Sequence, residues 1–357
     1  MAPPRPLLVT DDAALLDDVL RLAAAADVEI EVAHAAALGS GSWASAPLVL
    51  VGADLATQVV RRRLPRRRGV VLVGTDLDDE DIWRQAVAVG AERVVFLPDA
   101  EAWLVDRLAD VEEGGESRAT VVCVVGGRGG AGASTFAVAL AVTGTRMDRR
   151  TLLVDADPLG GGIDLLLGGE GAEGSRWPDL LGTKGRVRGG ALRGALPRID
   201  ELTVLSWGRS DVLTIPREAM RSILSAAERA SDLVVVDLPR RLDSAAEEAI
   251  RCSAATLLLV PAELRATVSA SRVAAEVGAH AADLRVVVRG PAPSGLSGEV
   301  IAESLGLPLG GEMRAEPGLA GALERGEAPA RRGRGPLAEL CASFLVDLQD
   351  TTGSEAA

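Results

Sequence analysis

At 357 residues, 48% of them apolar, the chain is long enough for two domains of about 150 residues each with sizeable cores. A formal charge of −13 excludes a surface that is basic throughout, as a general binder of nucleic acid or anionic membrane requires. Five Trp, three Phe and no Tyr offer no stacking platform for single-stranded nucleic acid.

In chain order, strand-like runs occur at "RPLLVT" (5–10), "VEIEVA" (28–33), "PLVLVG" (47–52), "GVVLVG" (69–74) and "RVVFL" (93–97). Helical patterns such as "DDAALLDDVLRLAAAA" lie between them, which predicts a flavodoxin-like doubly wound sheet over residues 1–112. The layout resembles a response-regulator receiver domain. Asp11 and Asp12 follow the first strand, where a receiver holds its acidic pair. The phospho-acceptor position after the third strand reads Gly52, with Asp54 two residues late, and Leu97 stands where a receiver has lysine. The resemblance therefore implies an atypical receiver-like domain used for docking or dimerisation, with Asp11 and Asp12 free to cap the next helix. "RRRLPRRR", Arg61 to Arg68, reads either as a solvated loop or as an electrostatic docking patch for an acidic partner, anionic lipid or nucleic acid.

"DVEEGGESRAT" (110–120) lacks apolar periodicity and predicts a linker, placed at 113–119. A second domain is expected over 120–348 and a disordered acidic tail over 349–357. It opens on "VVCVVGGRGGAGAST" (121–135), a hydrophobic strand, a glycine-rich turn and a small-residue helix start. Against the phosphate-loop pattern G-x-x-x-x-G-K-[ST], Gly127, Gly132 and Ser134 fall into register, but the lysine position holds Ala133. Two further strands end in carboxylates: "TLLVDADP" places Asp155 and Asp157, and "LVVVDLP" places Asp237. Ligands of parallel α/β sheets bind outside the carboxyl ends of the strands, where these acids could hold a nucleotide's Mg²⁺. A packing turn with surface carboxylates is the competing reading.

These residues resemble the ParA/MinD family of deviant Walker-A ATPases, whose loop reads K-G-G-x-G-K-[ST] where this chain has Arg128-Gly129-Gly130-Ala131-Gly132-Ala133-Ser134. "DADPLGGGIDLLLG", "RWPDL" and "LSWGR" are similar to the CpaE/TadZ branch, in which a receiver-like domain precedes the ATPase-like one, and within it to actinobacterial septum-site-determining, CpaE-like proteins. The resemblance implies a ParA/MinD-like P-loop sheet after the receiver-like domain, and ATP or ADP with Mg²⁺ as cofactors. The loop Gly127, Arg128, Gly129, Gly130, Ala131, Gly132, Ala133, Ser134 and Thr135 would bind the nucleotide. Ser134 would ligate Mg²⁺, with Asp237 in the outer coordination sphere. Asp157 would orient the attacking water, and Arg128 would take the place of the signature lysine that reaches across a homodimer.

Ala133 removes the lysine that bridges the β- and γ-phosphates, so binding through amides and Mg²⁺ is expected to outlast hydrolysis. Lys184 is the only lysine in the chain, so Arg128 reads as a compositional exchange that keeps a cation. "RVVVRGPAP" lacks the asparagine with which relatives read adenine; neither Val288 nor Arg289 supplies an amide's donor and acceptor. Implied partners are proteins of the division or pilus/secretion machinery, with recruitment to septum or pole and no general role for nucleic acid. Two other readings stay open: an active dimerising ATPase with Arg128 as the missing charge, and a nucleotide-free scaffold.

The remaining features read as structure. Trp177 and Trp207 are expected to anchor packing, and His34 and His280 to be structural or surface residues. The basic stretch 182–198 reads as a solvated connection, and "PLAELCASFLVDLQD" as a final helix on the sheet. Cys123, Cys252 and Cys341 lie far apart in apolar contexts without metal spacing, which predicts buried free thiols. No apolar run reaches the roughly 18 residues of a membrane span, and "MAPPRPLLVTDD" carries no signal-like apolar region. A cytoplasmic protein without an integral membrane segment is therefore expected.

Overall fold

Short runs such as Leu7–Val9 and Val49–Gly52 are apolar on both faces, the signature of parallel strands covered by helices on each side. A computed structural model describes residues 5–34, 39–77, 79–112, 119–182, 187–208, 213–292 and 295–355. It forms two compact units, Met1–Glu116 and Ser117–Ala357.

The first unit runs β1 (Leu7–Val9), α1 (Ala13–Ala25), β2 (Glu31–Ala33), α2 (Ser40–Ser45), β3 (Val49–Gly52), α3 (Ala56–Arg61), β4 (Val70–Gly74), α4 (Ile82–Val89), β5 (Arg93–Phe96) and α5 (Glu101–Glu112). The strands pair in parallel in the order β2-β1-β3-β4-β5, the flavodoxin-like order that the alternating runs predict. One face packs Trp43, Leu55, Val59 and Ile82; the other packs Leu15, Val19, Leu104 and Leu108.

At the carboxyl end of this sheet Asp54 folds back over the place of the acidic pair. Its carboxylate accepts from the amides of Asp11 at 2.7 Å and Asp12 at 3.1 Å, and from the Thr10 hydroxyl at 3.0 Å. Asp12 caps α1 through the amides of Ala14 and Leu15. His34 Nδ1 lies 2.7 Å from Asp11 Oδ1. A Cβ at Gly52 would sit 2.1 Å from Asp54 Oδ1. Restoring an acceptor with Gly52→Asp is therefore expected to cost about 1–3 kcal/mol, as overpacking does, and to yield no phosphorylation from acetyl phosphate. Thermal melts and phosphate incorporation check this; a fully stable, phosphorylated variant would show that Asp54 does not fill the site.

The second unit runs β6 (Thr120–Gly126), α6 (Ala133–Arg146), β7 (Thr151–Asp155), α7 (Ile163–Leu167), α8 (Trp177–Leu180), α9 (Gly189–Ala195), β8 (Arg198–Ile199), β9 (Leu202–Leu205), α10 (Arg217–Ala230), β10 (Leu233–Asp237), α11 (Ser244–Cys252), β11 (Ala255–Pro261), α12 (Leu264–Gly278), β12 (Leu284–Arg289), α13 (Gly298–Leu305), β13 (Leu309–Met313), α14 (Leu319–Leu323) and α15 (Pro336–Glu355). Its eight strands follow the order β13-β12-β11-β6-β10-β7-β9-β8, parallel except for the β8–β9 pair. The central strands β6, β10 and β11 are continuous apolar runs, and both faces of the sheet are covered. One core joins α6 to Leu337, Cys341, Phe344, Leu345 and Leu348 of α15, so the last helix packs on the sheet as its pattern predicts. Residues 349–355, expected as tail, continue that helix to Glu355. The other core gathers α10, α11 and α12 around Met220, Ile250 and Val277.

Cys123 and Cys341 are buried free thiols and Cys252 is half-buried; burial pushes the Cys123 thiol up to about 12. Among the described residues no helix is long and apolar enough to cross a membrane. Lys184 lies outside the described residues.

Candidate functional site

At the carboxyl end of β6 the chain must reverse into α6, and glycine makes that turn. Gly130 (φ 68°) and Gly132 (φ 95°) occupy the left-handed region that side-chain-bearing residues avoid. A Cβ at Gly129 or Gly130 would meet nothing within 4 Å, so the loop presents bare backbone to open space. The first amides of α6 lack partners within the helix and carry the positive end of its dipole. Loop and helix start together make a cradle for an anion.

In front of the cradle opens a cavity of about 970 Å³, lined by Arg128 through Thr135, Asp155, Asp157, residues 160–162, Asp237, Arg240 and residues 323–326. The pairing of β7 with β10 sets Asp155 beside Asp237. Each is only 2% exposed. Asp155 accepts from the amides of Asp157 at 3.1 Å and Ile163 at 3.3 Å. Burial, then the neighbouring Asp237 charge, pushes its carboxyl up to about 8 despite those bonds. Burial likewise pushes Asp237 up to about 7, with Asp157 adding to the shift and the Ser134 hydroxyl opposing it. Among the described residues Asp237 Oδ1 has no hydrogen-bond partner. An unpartnered buried carboxylate oxygen beside two more acids is costly unless a cation joins it, and hard oxygen ligands of this kind suit Mg²⁺. The donor set thus fits a nucleotide phosphate with its magnesium ion.

Trp177 holds this corner in place. It is fully buried, and its indole N–H donates to the Asp155 carbonyl at 2.7 Å. Its ring packs against Trp207 at 6.3 Å between centroids. The preceding Arg176 joins Asp164, at 2.5 Å, to the carbonyl of Ala172 at 3.1 Å and to the Ser206 hydroxyl. Both tryptophans are packing anchors, as the sequence suggests.

The structure brings together Arg128, Gly129, Gly130, Ala131, Gly132, Ala133, Ser134, Thr135, Asp157 and Asp237 as lining of one cavity. Gly127 differs from expectation. Its amide donates to Leu259 at 2.8 Å, its carbonyl accepts from Ser269 at 3.0 Å, and a Cβ there would lie 2.7 Å from Ala270. It is needed for packing against α12 and does not line the cavity. Arg128 lines the cavity, but its guanidinium is bound to Glu263 at 2.9 Å. Arg289 donates to the Gly130 carbonyl at 3.2 Å and so braces the loop from behind.

Gly160–Gly162, Arg240 and the segment 323–326 also line the cavity, beyond the residues expected there. "LGGG" and "LPRR" were visible as local signals beside the carboxylates. No local signal points to 323–326; it reaches the cavity because Gly168 and Gly326 touch backbone to backbone, leaving no room for a Cβ on either.

The family model described as "Rv3660c-like, CheY-like N-terminal domain" matches residues 9–119. Protein Rv3660c of Mycobacterium tuberculosis (strain ATCC 25618 / H37Rv) is 40% identical over 328 residues, 90% of this chain and 91% of that protein. Among solved structures, a ParA family ATPase from Chlorobium tepidum TLS superposes with a TM-score of 0.58 at 16% identity, covering 64% of this chain and 98% of that one. The septum site-determining protein MinD from Pyrococcus horikoshii OT3, complexed with Mg-ADP, gives 0.51 at 17% identity, covering 66% and 98%. At these identities the structural likeness establishes a ParA/MinD-like fold.

Proposed function

The chain belongs to the family of the mycobacterial protein Rv3660c, and from that premise we propose that it is a ParA/MinD-like spatial regulator that binds an adenine nucleotide with Mg²⁺ and hydrolyses it slowly or not at all. It would act in septum placement or in assembly of a pilus or secretion system, as a homodimer whose receiver-like domain docks protein partners, recruited from the cytoplasm to septum or pole. The observation that carries the nucleotide reading is the unpartnered Asp237 carboxylate oxygen in the same cavity as a bare glycine loop at a helix start.

Within that site, backbone amides of residues 129–134 would hold the phosphates. The Ser134 hydroxyl and Asp237 would hold the magnesium ion, which when bound supplies charge neutralisation at the phosphates. Asp157 stands on a tight turn, its carboxylate accepting from the Leu159 amide at 3.0 Å, where it could orient a water. Ala133 offers no charge to a developing negative centre, which supports binding over turnover.

Calorimetry of Mg²⁺-dependent ATP and ADP binding, run beside phosphate release, tests the reading. Binding with little turnover is expected; no binding at millimolar nucleotide would overturn it. Turnover abolished by Asp157→Ala would instead establish an active ATPase. Ala133→Lys is expected to tighten ATP binding about tenfold, the lower end of what one charge-assisted contact is worth.

A further inference from the structure

Among the described residues three arginines reach the cavity: Arg128, Arg240 and Arg325. Two of them already have carboxylate partners, Arg128 with Glu263 at 2.9 Å and Arg325 with Glu327 at 2.7 Å. Turning either toward a phosphate would first break an ion pair. Arg240 is exposed and has no ion-pair or hydrogen-bond partner among the described residues.

Its backbone is held firmly at both ends. The Leu238 amide donates to Val124 of β6 at 2.9 Å, directly behind the loop. Five residues after Leu238, Asp243 caps α11 through the amides of Ala245 at 3.0 Å and Ala246 at 2.8 Å. Between these anchors the short connection projects Arg240 into the mouth of the cavity, three residues after Asp237 on the same strand end. A planar guanidinium with five donors suits phosphate oxygens better than a point charge does.

We infer that Arg240 supplies the phosphate-binding cation that Ala133 lacks, delivered from the connection after β10 instead of from the loop. The inference rests on the nucleotide reading above and names which side chain of this chain takes over the lysine's contact with the terminal phosphates. The charge enters from the strand bearing the metal-side carboxylate, so phosphate and cation are gripped by one rigid segment.

The test compares Arg240→Ala with Arg241→Ala, an equally exposed neighbour that does not line the cavity, in the full chain. Calorimetric Kd values are taken for Mg-ATP, Mg-ADP and AMP. Arg240→Ala is expected to raise the Kd for ATP about tenfold or more, to leave AMP unaffected and to leave the melting temperature unchanged. Arg241→Ala should match wild type, and Arg240→Lys should keep much of the affinity. Adding Ala133→Lys to Arg240→Ala should recover ATP binding by a larger factor than Ala133→Lys alone gains, because the two cations serve one contact. Wild-type ATP affinity in Arg240→Ala overturns the inference and leaves nucleotide binding standing. A wild-type chain that binds neither ATP nor ADP overturns both.

Discussion

Asp237→Asn is expected to raise the melting temperature of the metal-free protein at pH 8 while abolishing the stabilisation that Mg²⁺ with ATP confers. In the folded chain burial displaces the Asp237 carboxyl from an ordinary 3.8 to about 7, and Asp155 from 3.8 to about 8. The folded state therefore holds protons across a window in which the unfolded chain has released them. Where the native state binds more protons, stability falls as pH rises. The contribution is fully present below about 3.8, the ordinary carboxylate value, and is lost progressively as the pH climbs through 7 and 8. Shifts of this size correspond to a few kcal/mol, or on the order of 5–10 °C in a unit of this size. Asparagine keeps the shape and removes the charge, so the metal-free melting curve should flatten with pH. Differential scanning calorimetry from pH 5 to 8, with EDTA and then with Mg-ATP, makes the comparison. A wild-type melting temperature independent of pH in EDTA would show that the carboxylates carry no such strain.

Trp177→Ala should be the most damaging single change in the second unit. Truncating a buried Trp costs about 3–5 kcal/mol in lost transfer and residual cavity. Here it also strips the Asp155 carbonyl of its indole donor, at about 1 kcal/mol or more for an unsatisfied buried acceptor. The turn from Asp155 to Asp157 would lose its brace, so nucleotide binding should weaken together with stability. Trp177→Phe helps separate the two contributions: it keeps a buried aromatic ring, loses the N–H together with the five-membered ring, and should cost about 1–3 kcal/mol. Chemical denaturation of both variants reads the difference. Equal losses for the two would mean that the hydrogen bond to Asp155, not packing, holds the corner.

The acidic corner is a compromise between stability and binding. Three aspartates converge on one cavity at the ends of β7 and β10, and burial makes the charges of Asp155 and Asp237 costly in the absence of a cation. A divalent ion bound there would relieve that cost and would couple occupancy of the site to the strand ends and to the loop that carries Ser134.

Much of this arrangement is legible in the residue order because its causes are local. Apolar runs at Thr120–Gly126, Thr151–Asp155 and Leu233–Asp237 have the pattern of covered parallel strands, which places Asp155 and Asp237 at carboxyl ends. Gly130 and Gly132 mark a left-handed turn that few other residues tolerate. The alternating first block likewise implied its doubly wound order. Long-range pairing settled what local signals left open. Arg128 is claimed by Glu263, 135 residues away, because β11 lies beside β6 and brings the start of α12 against the loop. Gly127 serves packing for the same reason. Asp54 closes the receiver-like site by folding back onto the end of β1, 43 residues earlier. Arg240 is left lining the cavity by the strand order that sets β10 between β6 and β7. Sequence alone determined the loop, the acids and the two folds, since glycine conformations and strand periodicity act within a few residues. Which cation stays free to meet the ligand was decided by tertiary structure, because only the crossovers determine which charges become neighbours.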